Sequence, residues 1–236
     1  MREILGRRRM TRWALRDAAL VCATRWGWPV LPGVAPRESR RLTARQSGQP
    51  RGRCSCPRPD CVVPGAHPFD PELPAATTDE RMVRWWWTNR PDAPVLLATG
   101  GRAPCALSLP AAAGARALEE FDRLGLRTGP VIASPTRCTL LVAPYDLEEL
   151  GELLHAQDWV PSSLRFHGEG GYVALPPSRT GAGQLRWERP PAALGVGPRA
   201  TLRGGGVPWL PRMEPLVDVL VRASAAVPDT GSRLAY

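Results

Sequence analysis

The sequence predicts an α+β fold, with one mixed sheet and flanking helices. Three observations carry that expectation. Short apolar segments of strand length recur from Pro94 to Trp187, and amphipathic helical segments interrupt them irregularly. Proline (27) and glycine (23) together exceed a fifth of the 236 residues, which demands many loops and excludes a helical bundle. A hydrophobic content of 43% with 22% charged residues suits a globular chain of one large domain with appendages.

The elements follow in chain order. Arg7-Arg8-Arg9 precedes an apolar stretch from Trp13 to Ala23, superficially an export signal. Arg16 and Asp17 interrupt that stretch, and no small-residue cleavage site ends it. Ala14, Leu15, Ala18, Ala19 and Cys22 recur at helical spacing, so residues 11–26 are read as an amphipathic helix of a cytoplasmic protein. No run approaches the roughly 18 apolar residues of a membrane span, so no membrane partner is expected. Trp28 to Pro32 reads as a short strand, and residues 33–75 then lose all periodicity. A loop of that length needs an organiser.

Thr77-Thr78-Asp79-Glu80 reads as a capping box for a helix that Pro91 stops. Within it, Trp85, Trp86 and Trp87 cannot share one face at about 100° per residue, so two belong in the core and one at the surface. Strands are expected at Pro94–Ala98, Cys105–Leu109, Gly129–Ala133 and Thr139–Ala143, with helices at Ala111–Leu124 and Asp146–Gln157. Leu164–His167, Tyr172–Leu175 and Gln184–Trp187 read as three more short strands. The isolated Cys22, Cys105 and Cys138 suit buried positions, and His155 suits the surface. A domain over 11–191 is therefore expected, then a Gly/Pro-rich linker over 192–211. A helix from Met213, with Val217, Leu220 and Val221 on one face, leads into a frayed tail within 212–236.

The organiser of the long loop is C-S-C-P-R-P-D-C-V-V-P-G-A-H-P, residues 54–68. Cys54, Cys56, Cys61 and His67 offer three soft sulfurs and one imidazole, the donor set of a closed, four-coordinate structural zinc site. The spacing C-x-C-x4-C-x5-H is not the common finger. Free thiols, or a disulfide in an exported protein, are the alternatives; a reducing compartment favours the metal.

A formal net charge of +9 points to an anionic partner, with nucleic acid as the first candidate. Every basic residue is arginine, as GC-rich coding would produce, so the sign of the charge counts and the choice of arginine does not. Two places could meet phosphate. Pro177, Ser178 and Arg179, followed by Gly181 and Gly183, form either a loop with N–H groups and a guanidinium or a rigid strand exit. Arg165 and His167, two apart, share one face of a strand. The glycines at 204–206 lack a following Lys-Ser/Thr and make no phosphate loop of the nucleotide-hydrolase type.

Several segments, in order, resemble the N-terminal domain of bifunctional DNA primase/polymerases, the prim-pol branch of the archaeo-eukaryotic primase superfamily. They are A-L-R-D-A-A-L-V-C-A-T-R-W-G-W-P-V-L-P at 14–32, the cysteine-rich run, A-T-T-D-E-R-M-V-R-W-W-W, P-V-L-L-A-T-G-G, and G-E-G-G-Y-V-A-L-P-P-S-R-T-G at 168–181. In the cysteine run, Ala66 stands where the family usually has lysine. The resemblance implies a prim-pol-like sheet with an inserted zinc knuckle, and a cleft lined by Arg165 and His167. It also implies polymerase chemistry by a histidine and three carboxylates, the carboxylates holding magnesium or manganese. The corresponding segments here, 104–110, 135–141 and 162–165, contain no carboxylate and no histidine; only Glu169 lies near.

The expectation is therefore a domain that binds DNA or nucleotides with weak or lost polymerase activity. Magnesium or manganese would matter only if it is active, and a helicase or another replication protein could act with it in trans. The alternatives are an active nucleotidyltransferase built on displaced acids such as Asp122, Asp146 or Glu169, and a protein-interaction module that uses the tryptophan helix.

Overall fold

A computed structural model of the chain describes residues 12–37, 53–58, 60–192 and 206–227. The Arg7–Arg9 run, most of the expected linker and the tail from 228 onward lie outside the described residues.

Helix α1 covers 12–20 and continues as a widened π turn, Val21–Arg25, before Gly27 reverses the chain at φ +66°. Strand β1 (Val30–Pro32) then pairs with β4 (Val95–Ala98), which pairs in turn with β9 (Tyr172–Leu175). Helix α2 (Glu80–Asn89) packs on this three-stranded sheet. Its N-cap is Asp79, whose Oδ1 accepts the Met82 N–H at 2.7 Å. The expected cap at Thr77 moves because Thr77 is held in a β-bridge with Val30, so the helix cannot start there. As expected, Trp86 and Trp87 are buried, edge to face at 6.5 Å, whereas Trp85 is 58% exposed. The buried Trp87 donates its Nε1–H to the Ala93 carbonyl at 3.0 Å, which satisfies its one polar atom.

The second sheet contains β5 (Cys105–Pro110), β6 (Val131–Ala133), β7 (Arg137–Val142), β8 (Arg165–His167) and β12 (Arg186–Arg189), in the order β12-β6-β7-β5-β8. Helix α3 (Ala111–Arg123) links β5 to β6, and α4 (Leu147–His155) links β7 to β8. Each crossover skips one strand position, which another strand fills. β5-α3-β6-β7-α4-β8 thus forms two interleaved split β-α-β units. This corrects the expected single mixed sheet: strands joined by helices are never neighbours, so every ladder among the described residues is antiparallel, and two principal sheets form. The α+β class and the flanking helices are as expected.

Strand alternation sorts the second sheet into two faces. Cys105, Leu107, Leu109, Val131, Leu140 and Val142 face α3 and α5 (Glu214–Ala225), whose Leu216, Val217 and Leu220 complete that core. Packing there is close: a Cβ at Gly114 on α3 would lie 2.1 Å from the Cys138 Cβ. On the other face, Ala106, Ile132 and Leu141 join Trp28, Leu96, Leu97 and Trp87 in the core under the first sheet. Cys22, Cys105 and Cys138 are buried and His155 is exposed, as their sequence context implied. Among the described residues no helix is long and apolar enough to cross a membrane.

Candidate functional site

The face of the second sheet turned away from α3 becomes polar toward one end. Register places Ser108 opposite Thr139 on β7 and Arg165 on β8, with Ala106 opposite His167. The three segments without acids or histidine, 104–110, 135–141 and 162–165, therefore lie side by side. On β5 the two positions two apart that face this site carry a methyl group, at Ala106, and a hydroxyl, at Ser108.

Arg137 occupies the middle. Its Nε and Nη2 donate to the Ser108 hydroxyl at 3.3 and 3.0 Å. Nη2 also reaches the Ser108 carbonyl at 2.7 Å and the Ser163 carbonyl at 2.9 Å. A guanidinium only donates, so the Ser108 proton is left for His167 Nε2, 3.1 Å away. His167 must then be neutral with Nε2 as acceptor. Burial, followed by the nearby charges of Arg137 and Arg165, lowers its pKa to about 4. Sequence reasoning named Arg165 and His167 but missed Ser108 and Arg137. The signal for Arg137 was an arginine inside the segment expected to hold a histidine.

A pH dependence follows. In the unfolded chain the imidazole takes up a proton near about 6.5, but in the folded chain only near about 4. Protonation thus favours unfolding. Stability should be unaffected above about pH 6.5 and fall as the pH drops from there toward 4, by roughly 2–3 kcal/mol in total. Urea midpoints measured across that range should show the loss in the natural chain and a smaller loss in His167→Gln. Identical pH profiles would refute the assignment.

The displaced acids do not rebuild a metal site. Asp122 holds Arg189 through both carboxylate oxygens at 2.8 and 2.7 Å. Asp146 caps α4 by accepting the Glu149 N–H at 2.8 Å, and Glu169 is exposed in the turn after β8. That turn is clamped by the Ala98-Thr99-Gly100-Gly101 segment. Thr99 donates its hydroxyl to the Gly168 carbonyl at 2.6 Å and its N–H to the Gly171 carbonyl at 2.9 Å.

Pro177, Ser178 and Arg179 lie apart from Arg165 and His167, where the chain leaves β9. Ser178 is fully buried, and its Oγ accepts the Val95 N–H at 2.7 Å. Its N–H donates to the Leu175 carbonyl at 3.0 Å, and Gln184 Nε2 donates to the Pro177 carbonyl at 2.6 Å. Ser178 and Pro177 therefore close a turn, while Arg179 is exposed on a two-stranded ribbon, β10 (Arg179–Thr180) and β11 (Gly183–Gln184).

The cysteine–histidine run folds over that ribbon. It enters through a short pairing of β2 (Pro36–Arg37) with β3 (Arg53–Cys54). Gly181 N–H donates to the Pro64 carbonyl at 2.6 Å, and Gly65, at φ +72°, lies against Pro36 and the Thr180 backbone. Ligand atoms of Cys54, Cys56, Cys61 and His67 all lie within 4.8 Å of one another. His67 Nε2 is 3.3 Å from Cys54 Sγ and 3.4 Å from Cys61 Sγ, near the ~3.5 Å edge that tetrahedral zinc bonds of about 2.0–2.3 Å produce. Its Nδ1 faces the Pro68 carbonyl at 2.8 Å, the outer-shell bond that orients a metal-ligating imidazole.

The thiols also want a cation. Burial raises Cys54, but N–H groups of Cys56 and Gly65, with His67 and Cys56, outweigh it and bring its pKa down to about 7. Burial, with Cys54 and Cys56 beside it, raises Cys61 to about 12, so a second thiolate needs a positive ion. Among the described residues this is the only grouping of three or more His, Cys, Asp or Glu side chains placed to hold a metal ion.

No curated protein and no solved structure matches the chain. The sequence profile of the bifunctional DNA primase/polymerase N-terminal (Prim-Pol) family matches residues 19–200, from the second half of α1 past β12. That span includes the knuckle, the clamped 168–171 turn and the Ser108–Arg137 centre, so the chain belongs to the Prim-Pol bifunctional DNA primase/polymerase N-terminal family.

Proposed function

We propose that this protein binds DNA or nucleotides through the face carrying Ser108, Arg137, Arg165 and His167, with weak or no polymerase activity of its own. The observation that carries the reading is the guanidinium of Arg137 lodged against Ser108 between the three segments where carboxylates would hold magnesium or manganese. In-line nucleotidyl transfer with two divalent ions needs several anionic oxygens around them; a hydroxyl and a methyl supply none, and arginines repel such ions. Arginines instead attract phosphate. Arg179, exposed on the separate β10–β11 ribbon after Pro177 and Ser178, offers a second positive group apart from this face.

In this reading the knuckle holds a structural zinc ion through Cys54, Cys56, Cys61 and His67. All six cysteines are unbridged, which supports a reducing, cytoplasmic setting. A helicase or another replication protein acting in trans would supply catalytic steps that the domain lacks.

The test has two parts. Primer extension with magnesium or manganese should give no template-dependent product above background; robust incorporation would overturn the loss of catalysis. Affinity for single-stranded DNA should fall with salt, log K changing by about −0.7 per log unit of salt for each phosphate contacted. A flat dependence would remove phosphate binding.

A further inference from the structure

We infer that Cys61 is a site of oxidation by hydrogen peroxide, with Cys54 or Cys56 as the resolving sulfur, and that this reaction opens the knuckle and releases the 179–184 ribbon. The inference rests on the zinc reading given above and adds a reaction of the same sulfurs. Cys54, Cys56, Cys61 and His67 bring their ligand atoms within 4.8 Å of one another, so Cys61 has two other sulfurs at hand. It is also the most accessible of the described cysteines: Cys61 is half-buried, and the other five are buried. Cys22 lies in the core under the first sheet. Cys105 pairs with Val142 and Cys138 with Leu109, so register sets those two cysteines four residues apart along neighbouring strands, about 13 Å. A disulfide needs Cα atoms within about 7 Å, so only the knuckle is built to form one.

The step balances with hydrogen peroxide as the co-reactant. A sulfur that holds a metal ion is a thiolate. The Cys61 thiolate attacks one peroxide oxygen with its lone pair, the O–O bond breaks, and hydroxide leaves, so Cys61 becomes a sulfenic acid. A thiolate of Cys54 or Cys56 then attacks the Cys61 sulfur. An S–S bond forms, and the S–O bond breaks with loss of a second hydroxide. Two protons from solvent turn both hydroxides into water. The pair of sulfurs gives up two electrons, and the peroxide gains them. Two of the four donors are consumed, and the one remaining cysteine with His67 makes no closed metal site.

The effect reaches the ribbon through backbone contacts. Gly181 N–H donates to the Pro64 carbonyl at 2.6 Å, and Gly65 packs on the Thr180 backbone. Pro64 and Gly65 stand between Cys61 and His67, so both ligands fix their position. The ribbon has two strands of two residues each, too little to persist without that support. Exposed Arg179 then loses its fixed place.

The experiment uses the full chain after its zinc content has been measured. Hydrogen peroxide is added in small excess, metal release is followed with a chromogenic chelator, and cysteine states are mapped by differential alkylation and mass spectrometry. Zinc should leave as a disulfide forms from Cys61 to Cys54 or Cys56, while Cys22, Cys105 and Cys138 stay as thiols. Amide exchange at 179–184 should accelerate by about tenfold or more, and a dithiol reductant with added zinc should restore it. Cys61→His keeps four donors, two cysteines and two histidines, which also suit zinc. It should slow peroxide-driven release by about tenfold. If that variant folds poorly, the mapping in the natural chain decides alone.

Retained zinc and intact thiols under peroxide that oxidises free cysteine would overturn the inference and leave the zinc reading intact. So would oxidation that falls first on Cys22, Cys105 or Cys138, or a Cys54–Cys56 disulfide that spares Cys61. The expected disulfide without faster exchange at 179–184 would overturn the link to the ribbon. A chain that carries no zinc and takes up none would overturn the zinc reading, and the inference with it.

Discussion

Gly100→Ala is expected to destabilise the protein by roughly 3–5 kcal/mol, a fall in Tm of about 10 °C for a chain of this size. Two costs combine at this position. Gly100 has φ +91°, a conformation that an L side chain adopts only with strain of about 1–3 kcal/mol. A Cβ there would also lie 2.3 Å from the Cα and 2.6 Å from the N of Glu169. Those are backbone atoms, so no rotamer change relieves the overlap, and overpacking adds about 1–3 kcal/mol more.

The strain would be felt at the candidate site, because Thr99 and Gly100 clamp the turn that follows His167. Gly101 is a useful control. It too has positive φ, +63°, but a Cβ there meets nothing within 4 Å, so Gly101→Ala should cost only the backbone term. Thermal denaturation of both variants is the measurement. Equal losses in the two would show that the Gly100–Glu169 approach contributes nothing.

With zinc held in the knuckle as proposed, its withdrawal is the second large effect. Structural zinc in small Cys/His modules contributes about 10–16 kcal/mol of apparent binding energy at neutral pH, much of it spent on ordering the loop. The segment has little else to order it. Val62 and Phe69 are exposed, and the buried side chains at its centre are the ligands Cys54 and Cys56. After chelation, or in Cys56→Ser, hydrogen exchange should accelerate by several orders of magnitude across 54–68.

The loss should spread to the ribbon at 179–184, since Gly181 bonds to Pro64 and Gly65 packs on Thr180. The cores around Leu96 and Leu107 rest on other contacts and should keep their protection. Unchanged protection at 54–68 in protein shown to be free of metal would remove the structural role of the ion.

Local signals were legible in the sequence wherever a short stretch carries its own physics. Tyr172–Leu175 forms the strand that its alternation implied, and the C-terminal helix buries Val217 and Leu220 as their spacing required. The knuckle ligands sit within one short run whose prolines and Gly65 set the turns, so their meeting needed no distant partner. The helix start was misplaced because Thr77 has good capping chemistry locally, and only the distant Val30 withdraws it into a bridge. The sheet was misjudged for a similar reason: a strand–helix–strand run does not say whether another strand will fill the gap between its ends.

The candidate site divides the same way. That carboxylates are missing from three segments was readable from composition alone. What replaces them was not, because Ser108 is 29 positions from Arg137 and 59 from His167, and only sheet register makes them neighbours. Ser178 shows the converse: its Pro-Pro-Ser-Arg context suggested a ligand loop, yet a backbone N–H from distant Val95 claims the hydroxyl.

By itself, then, the sequence determined the α+β class, the family resemblance, the zinc-type donor set and the absence of carboxylates from 104–110, 135–141 and 162–165. All of these rest on residue identity and near-neighbour spacing. Only the tertiary structure decided that Arg137 joins Ser108 and Ser163, that the knuckle braces the 179–184 ribbon, and that Gly100 must be glycine. Those facts depend on strand pairing and close backbone approach between remote segments, which spacing along a chain does not encode.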